Sequence, residues 1–221
     1  MASAIAVRRP KAVGVTIGPL RLAGDLHIPA DAAVLIVFAH GSGSSRLSPR
    51  NRAVAEALNR RGMATLLFDL LTPDEEGNRA NVFDIPLLAE RLVAVVQWID
   101  QQAELADLRL GLFGASTGAA AALVAAARLK TRIGAVVSRG GRPDLAASAL
   151  SQVTAPTLLI VGGFDDVVIE LNQQAHARLR AEKALEIVPG ATHLFPEPGA
   201  LERVIALAGD WFETHLVTRQ G

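Results

Sequence analysis

The sequence contains no cysteine. Disulfides, thiolate catalysis and cysteine-ligated metal sites are thereby excluded, and a cytoplasmic location is the expectation that fits. An excess of charge of one sign is also missing, since 22 Lys and Arg balance 22 Asp and Glu over 221 residues. Such a chain gives no electrostatic ground for nucleic acid or an anionic membrane surface as a partner. No segment approaches the ~18 uninterrupted apolar residues of a membrane span. The richest stretch, Ala119 to Ala127, is alanine-rich and too short. The opening, Met1 to Val15, does not read as a signal peptide, because Arg8, Arg9 and Lys11 follow its short apolar segment instead of preceding it. Internal repeats and low-complexity linkers are absent as well. Residues 1–221 therefore read as one domain, and a hydrophobic content of 50% supplies a sizeable core.

What is present is a regular alternation. Ala12 to Ile17 and Leu20 to Ile28 read as a hairpin turning at Gly18-Pro19. Ala33 to Ala39, Ala64 to Phe68, Leu108 to Phe113, Ile133 to Ser138, Thr157 to Val161 and Leu185 to Val188 are short apolar runs of the kind buried on both faces of a parallel sheet. Helices are expected between them. One runs from Pro49 to about Arg61, with Ser48 as N-cap and Gly62 as its stop. Asp84 caps a second, in which Leu87, Leu88, Leu92, Val95, Val96 and Ile99 share a face. Others cover Thr117 to Leu129, Val168 to Glu182, and Gly199 to Leu216, while Thr72 to Val82 reads as a polar loop. Strands alternating with helices imply an α/β protein: a mostly parallel sheet covered on both faces. The short stretch between Ser138 and Thr157 leaves no room for a sizeable cap domain, so an open site is expected.

Gly114-Ala115-Ser116-Thr117-Gly118 matches G-x-S-x-G. It directly follows one apolar strand and directly opens a helix. A turn this sharp crowds its own backbone, and glycines on either side of the serine relieve the crowding so that the hydroxyl projects. The helix that follows aims its positive end at the same point. A serine hydroxyl needs a base to act as a nucleophile at neutral pH.

The element order and this elbow resemble the α/β-hydrolase fold. In that fold the acid and the base follow the serine, in that order. The resemblance places the base in the loop after the last strand, at His193 of Pro189-Gly190-Ala191-Thr192-His193. His27, His176 and His215 read as surface or packing residues, and His40 as a residue that shapes its own loop. The acid is expected after the strand Thr157 to Val161. There Asp165 fits the G-x-x-D-x-x-V pattern of Gly162 to Val168, and Asp166 is left to cap the next helix. Asp69 and Asp144 are weaker candidates with structural roles. The oxyanion hole is expected from the backbone N–H of Thr117 and of Ser42, the latter in the loop His40-Gly41-Ser42-Gly43-Ser44-Ser45.

The His40 to Ser45 loop, the elbow, the Gly162 to Val168 segment and the loop ending at His193 together resemble the dienelactone-hydrolase-like branch. They are also similar to hydrolase modules associated with phosphoribosyltransferases, although no phosphoribosyltransferase segment occurs here. Dienelactone hydrolases proper use a cysteine nucleophile, where this chain has Ser116. The resemblance therefore implies a carboxylic ester, thioester or lactone as small-molecule substrate, an acyl-enzyme on Ser116, and no metal or organic cofactor. The alternatives are a binding module of the same fold without hydrolysis, and an acyltransferase using the same triad.

Arginines flank this site. Arg46 and Arg50 follow the oxyanion loop, and Arg139 and Arg142 lie in Ser138-Arg139-Gly140-Gly141-Arg142-Pro143. Arg46, Arg139 and Arg142 are candidates for binding an acidic substrate group, against the plainer reading of solvated or ion-paired side chains. Arg50 falls in the first turn of a helix, where the dipole disfavours a cation, so a neighbouring carboxylate or a bound anion must offset it. The polar segment Thr72 to Asn81 is expected either to wall the acyl pocket or to form a surface loop.

Overall fold

The computed structural model describes residues 11–217, so the stretch bearing Arg8 and Arg9 lies outside the described residues. Eight strands form one sheet in the order β1-β2-β4-β3-β5-β6-β7-β8. The antiparallel hairpin of β1 (Lys11–Ile17) and β2 (Leu22–Ile28) stands at one edge, and β2 runs antiparallel to β4 (Ala64–Phe68). From there β3 (Val34–Ala39), β5 (Arg109–Ala115), β6 (Ile133–Arg139), β7 (Thr157–Gly162) and β8 (Lys183–Val188) are parallel. Every residue of β3, β4 and β7 is buried. That is why these strands read as unbroken apolar runs rather than as alternating ones.

Helices cover both faces. On one side α4 (Ile85–Asp100) and α5 (Thr117–Leu129) pack with Leu35, Val37, Leu110, Leu112 and Leu159. The buried face of α4 is Ile85, Leu88, Ala89, Leu92, Val95, Val96 and Ile99, with Asp84 accepting a hydrogen bond from the Leu87 N–H at its start. Each of the larger side chains contributes about 1.5–3 kcal/mol on burial. On the other side α1 (Pro49–Arg60) and α7 (Ala200–Leu216) pack with Ile36, Phe38, Phe113 and Ile160, and the Phe38 and Phe113 rings lie 4.9 Å apart. Ser48 caps α1 through the Asn51 N–H, and Gly62, at φ +80°, lets the chain leave it.

The structure shifts several boundaries. The hairpin turn spans residues 18–21, with Arg21 at φ 55°, so β2 begins at Leu22 rather than Leu20. The polar segment after Leu71 is not a plain loop. It forms two single-turn helices, α2 (Pro73–Glu76) and α3 (Arg79–Val82), and Thr72 and Glu75 cap each other's backbone at the start of α2. Arg91 on α4 holds Glu75, and its guanidinium and the Thr72 N–H keep the Glu75 carboxyl below its usual range, the backbone bond being the larger effect. The helix after β7, α6 (Asp166–Arg178), starts two residues earlier and stops four residues sooner than its apolar pattern suggested. Between β6 and β7 there is only a 3₁₀ segment, Pro143–Gln152, and no cap domain. Among the described residues no helix is long and apolar enough to cross a membrane.

Candidate active site

The C-terminal ends of the central parallel strands line up. Ala115 of β5 pairs with Arg139 of β6, Arg139 with Ile160 of β7, and Gly162 of β7 with Val188 of β8. The loops leaving these ends carry the candidate side chains.

Ser116 sits between β5 and α5 at φ 50°, ψ −123°, a backbone conformation that costs a non-glycine residue about 1–3 kcal/mol. The surroundings force it. A Cβ on Gly114 would lie 2.4 Å from the Ala119 Cα, and one on Gly118 would lie 2.3 Å from the Ala39 carbonyl oxygen. The two glycines of the motif are thus the places where α5 is pressed against its own strand and against β3. The Ser116 N–H donates to the Arg139 carbonyl at 3.2 Å, and its carbonyl accepts from the Arg142 N–H at 3.1 Å, so the strained turn is braced by the loop after β6.

Asp165 and His193 come from adjacent strands, and backbone bonds tie their loops together. Gly163 N–H donates to the Val188 carbonyl at 2.8 Å and Phe164 N–H to the Ala191 carbonyl at 2.9 Å. Across this junction Asp165 Oδ2 lies 2.6 Å from His193 Nδ1. A carboxylate so placed accepts the Nδ1 proton, which leaves Nε2 as the free basic nitrogen. The acid is largely enclosed and the imidazole is part-exposed, with side-chain accessibilities of 17% and 37%. The ring passes over Gly140, where a Cβ would lie 3.6 Å from its Cε1. Ser116 and His193 thus flank the same Arg139-Gly140 segment from two sides. Asp165 occupies the N-cap position of α6 yet makes no capping bond, because its carboxylate is turned to the histidine. Asp166, expected to be the cap, is instead the first helical residue.

The loop after β3 closes the other side. A Cβ on Gly41 would stand 2.9 Å from the Ser116 Cβ, so only glycine lets this loop pass so near. The Ser42 N–H points at α5 and donates to Thr117 Oγ1 at 2.9 Å. His40 shapes this loop, as expected. Its Nε2 accepts from the Leu70 N–H at 3.1 Å, which fixes the proton on Nδ1, where it is donated to the Gly41 carbonyl at 3.0 Å. Burial pushes its pKa below the ordinary histidine value. Beside this loop lies a pocket of about 360 Å³ whose wall includes Ser42, Leu70, Leu71, Glu76, Val82 and Leu88. Ser116 is not in that wall; it lies behind Gly41. The segment after Thr72 contributes Glu76 and Val82 to the wall of this pocket. The contributions of Leu70, Leu71 and Leu88 carried no signal beyond core hydrophobicity.

Of the arginines, Arg46 is held by Asp69, through both side chain and backbone N–H, and lies 3.7 Å from Asp25. Arg142 forms a two-pronged pair with Asp144 at 2.8 and 2.9 Å. Asp69 and Asp144 are therefore structural partners of arginines. Among the described residues Arg139 has no carboxylate partner. It is 5% exposed, and its guanidinium meets only Asn51 Oδ1 at 3.4 Å and the Phe195 ring at 6.0 Å. Of the other histidines, His215 stacks on Trp211 at 4.3 Å and faces Glu182. His176 lies on α6 and His27 in β2, away from the serine. Among the described residues, no group of three His, Asp or Glu side chains is placed to hold a metal ion.

This architecture and this set of strand-end loops define an α/β hydrolase, and comparison with known proteins agrees. The family model described as "Alpha/beta hydrolase domain" matches residues 32–203. A dienelactone hydrolase from Anabaena variabilis ATCC 29413, known from its crystal structure, is 54% identical with a TM-score of 0.89, covering 94% of this chain and 98% of that one. The chain belongs to the α/β-hydrolase family, in its dienelactone-hydrolase-like branch. It is also 61% identical over 208 residues to a protein of Mycobacterium tuberculosis (strain H37Rv) named "Putative phosphoribosyl transferase", covering 94% of this chain and 47% of that protein. The chain thus spans about half the length of the relatives it matches in this way. Est1E from Butyrivibrio proteoclasticus shares the fold at 18% identity, with a TM-score of 0.78 and coverage of 94% and 99%.

Proposed function

We propose that this chain is a serine hydrolase that cleaves carboxylic esters, or the related thioesters and lactones, through an acyl-enzyme on Ser116. The observation that carries the reading is the 2.6 Å contact between Asp165 and His193 Nδ1, beside a strand-end turn that holds Ser116 at φ 50°. In this mechanism Nε2 takes the Ser116 proton as Oγ attacks the substrate carbonyl. Asp165 stabilises the imidazolium that forms. His193 then protonates the leaving alcohol and afterwards activates the water that releases the acid. The Thr117 N–H, at the positive end of α5, and the Ser42 N–H are the proposed oxyanion donors. At rest the Ser42 N–H is occupied by Thr117 Oγ1, so the developing oxyanion has to displace a neutral hydroxyl, which a charged acceptor does readily. The pocket beside the oxyanion loop is the proposed acyl site. We assign the phosphoribosyl transfer in the relatives' name to the half of those proteins that this chain does not cover. The cytoplasmic location expected from composition stays part of this proposal.

The test is covalent labelling with a fluorophosphonate probe. Wild type should label, and Ser116→Ala and His193→Ala should not. A folded wild type that resists the probe at millimolar concentration overturns the reading in favour of a binding module. Appearance of a transesterified product, in preference to acid, when an acceptor alcohol is added would make the enzyme an acyltransferase.

A further inference from the structure

Two arginines approach each other at the N-terminus of α1, and among the described residues no carboxylate pairs with either. Arg50 stands in the first turn, where α1 has no acidic residue. Among the described residues it forms no ion pair, and its Nε is enclosed without a partner. Arg139 reaches the same place from the end of β6. It touches the α1 residue Asn51, and its own Nε is also buried and unpartnered. Its two neighbours, an amide oxygen and the Phe195 ring, leave the positive charge unneutralised. Burial, reinforced by the nearby Arg50, pushes its pKa down to about 10, so it is still cationic at neutral pH. The helix end adds its own positive field. The Ser48 hydroxyl takes the Asn51 N–H and Pro49 has none to give, which leaves the N–H of Arg50.

Two guanidinium groups and a helix N-terminus converging without a counter-charge make an arrangement that repels itself. Other arginines are neutralised within the fold: Arg46, Arg61, Arg91, Arg132 and Arg142 each have an Asp or Glu within 3 Å. We propose that Arg50, Arg139 and the N-terminus of α1 form a binding site for a compact oxyanion, a carboxylate or phosphate group. Planar guanidinium forks match such groups two bonds at a time, which neither chloride nor a neutral amide can do. The site lies next to the proposed catalytic centre. The Arg139 carbonyl braces the Ser116 N–H, and the Phe195 ring against its guanidinium is two residues from His193. The occupant is therefore either a free anion or the acidic group of a substrate bound across the serine.

The experiment is thermal unfolding of the full chain in rising inorganic phosphate, against sodium chloride of equal ionic strength, for wild type and Arg50→Gln. Phosphate also stabilises proteins generally by exclusion from their surface, which the part-exposed Arg50→Gln variant controls for. A bound anion gives wild type a saturable, mass-action rise in Tm, and Arg50→Gln should need about tenfold more phosphate for the same rise, as expected for a lost charge-assisted bond. Arg139→Lys, which keeps the charge and loses the fork, should weaken binding too. If that variant fails to fold, the Arg50 comparison decides alone. Equal shifts in wild type and Arg50→Gln, or no shift beyond chloride, overturn the proposal. The occupant's source is read from fluorophosphonate labelling of wild type. Phosphate that slows labelling with the same half-saturation as the Tm rise places a substrate's acidic group in the site. Phosphate that binds without slowing it identifies a free anion. Because the Tm readout needs no turnover, failure of the anion site and failure of the hydrolase reading are told apart.

Discussion

The sharpest test of how the elbow is built is Gly118→Ala. A single methyl group is added, yet its carbon would stand 2.3 Å from the Ala39 carbonyl oxygen, 2.4 Å from the His40 carbonyl oxygen and 2.7 Å from the Ala39 carbonyl carbon. Close carbon–oxygen contacts in proteins settle near ~3.3 Å, so α5 and the end of β3 have to part by about 1 Å. All three atoms are backbone, and no side chain can rotate away. Overpacking of this kind costs typically ~1–3 kcal/mol. The rigid setting puts Gly118→Ala at the upper end, about 3 kcal/mol, which is roughly a 10 °C fall in Tm for a chain of this size. The same displacement moves Thr117 and Ser116 away from the His40 to Ser45 loop, and a 1 Å misplacement is worth ~10²-fold in rate. Denaturant unfolding measures the first effect and the rate of fluorophosphonate labelling the second. Gly43→Ala is the control. Gly43 has φ +67° and nothing within 4 Å of its would-be Cβ, so only the backbone penalty of ~1 kcal/mol applies. If Gly118→Ala loses no more stability than Gly43→Ala and labels within twofold of wild type, the account of the elbow is wrong.

Asp165→Asn should leave the fold intact and lower kcat by ~10³–10⁴-fold, because the amide cannot hold the Nδ1 proton while Nε2 stays basic; ester hydrolysis under saturating substrate measures this. Thr117→Val removes the acceptor of the Ser42 N–H and keeps the backbone donor. It should cost ~1 kcal/mol in urea unfolding, with a loss of labelling rate well short of the ~10²-fold that a missing oxyanion donor gives. Loss of labelling in a folded Thr117→Val protein would move the role from backbone to hydroxyl. His40 is buried neutral with its pKa below 6.5, so the unfolded chain binds more protons than the folded one as pH falls through 6.5. Stability should therefore be fully present above pH 6.5 and decline below it. Unfolding midpoints between pH 7.5 and 5 should fall less steeply for His40→Gln than for wild type. Leu92→Ala, at a fully buried position on α4, should lose about 3 kcal/mol by the same assay without changing the labelling rate of the folded protein.

Much of this architecture was legible because its signals are local. The strand Ala64 to Phe68 and the helix Thr117 to Leu129 fall where their apolar runs place them. The Asp84 and Ser48 caps act as their side-chain chemistry dictates. The residues between Thr72 and Val82 misled for a physical reason. Two helices of four residues each are too short to show a 3.6-residue period, and their order comes from mutual capping and from Arg91 on another helix. Asp165 and Asp166 show the same limit. Either carboxylate suits a helix N-cap, and which one is diverted is decided by a histidine 28 positions away. The join between the Ser42 N–H and Thr117 Oγ1, 75 residues apart in sequence, had no sequence signal.

Arg50 lies between these cases. Its place in the first turn of a helix was readable, and with it the requirement that some negative charge lie nearby. Which charge was not readable, because a carboxylate neighbour can come from anywhere in the chain. The fold gives Asp69 and Asp25 to Arg46, Asp25 also to Arg52, and Asp144 to Arg142. It then brings to Arg50 a second cation, Arg139, where a carboxylate was wanted. The chain leaves a strained serine, an acid–base pair and an uncompensated pair of guanidinium groups around one strand end. The first two are proposed to form an acyl-enzyme. The third has no carboxylate partner among the described residues, and the proposed anion site would draw its counter-charge from solution or from a substrate bound at the serine.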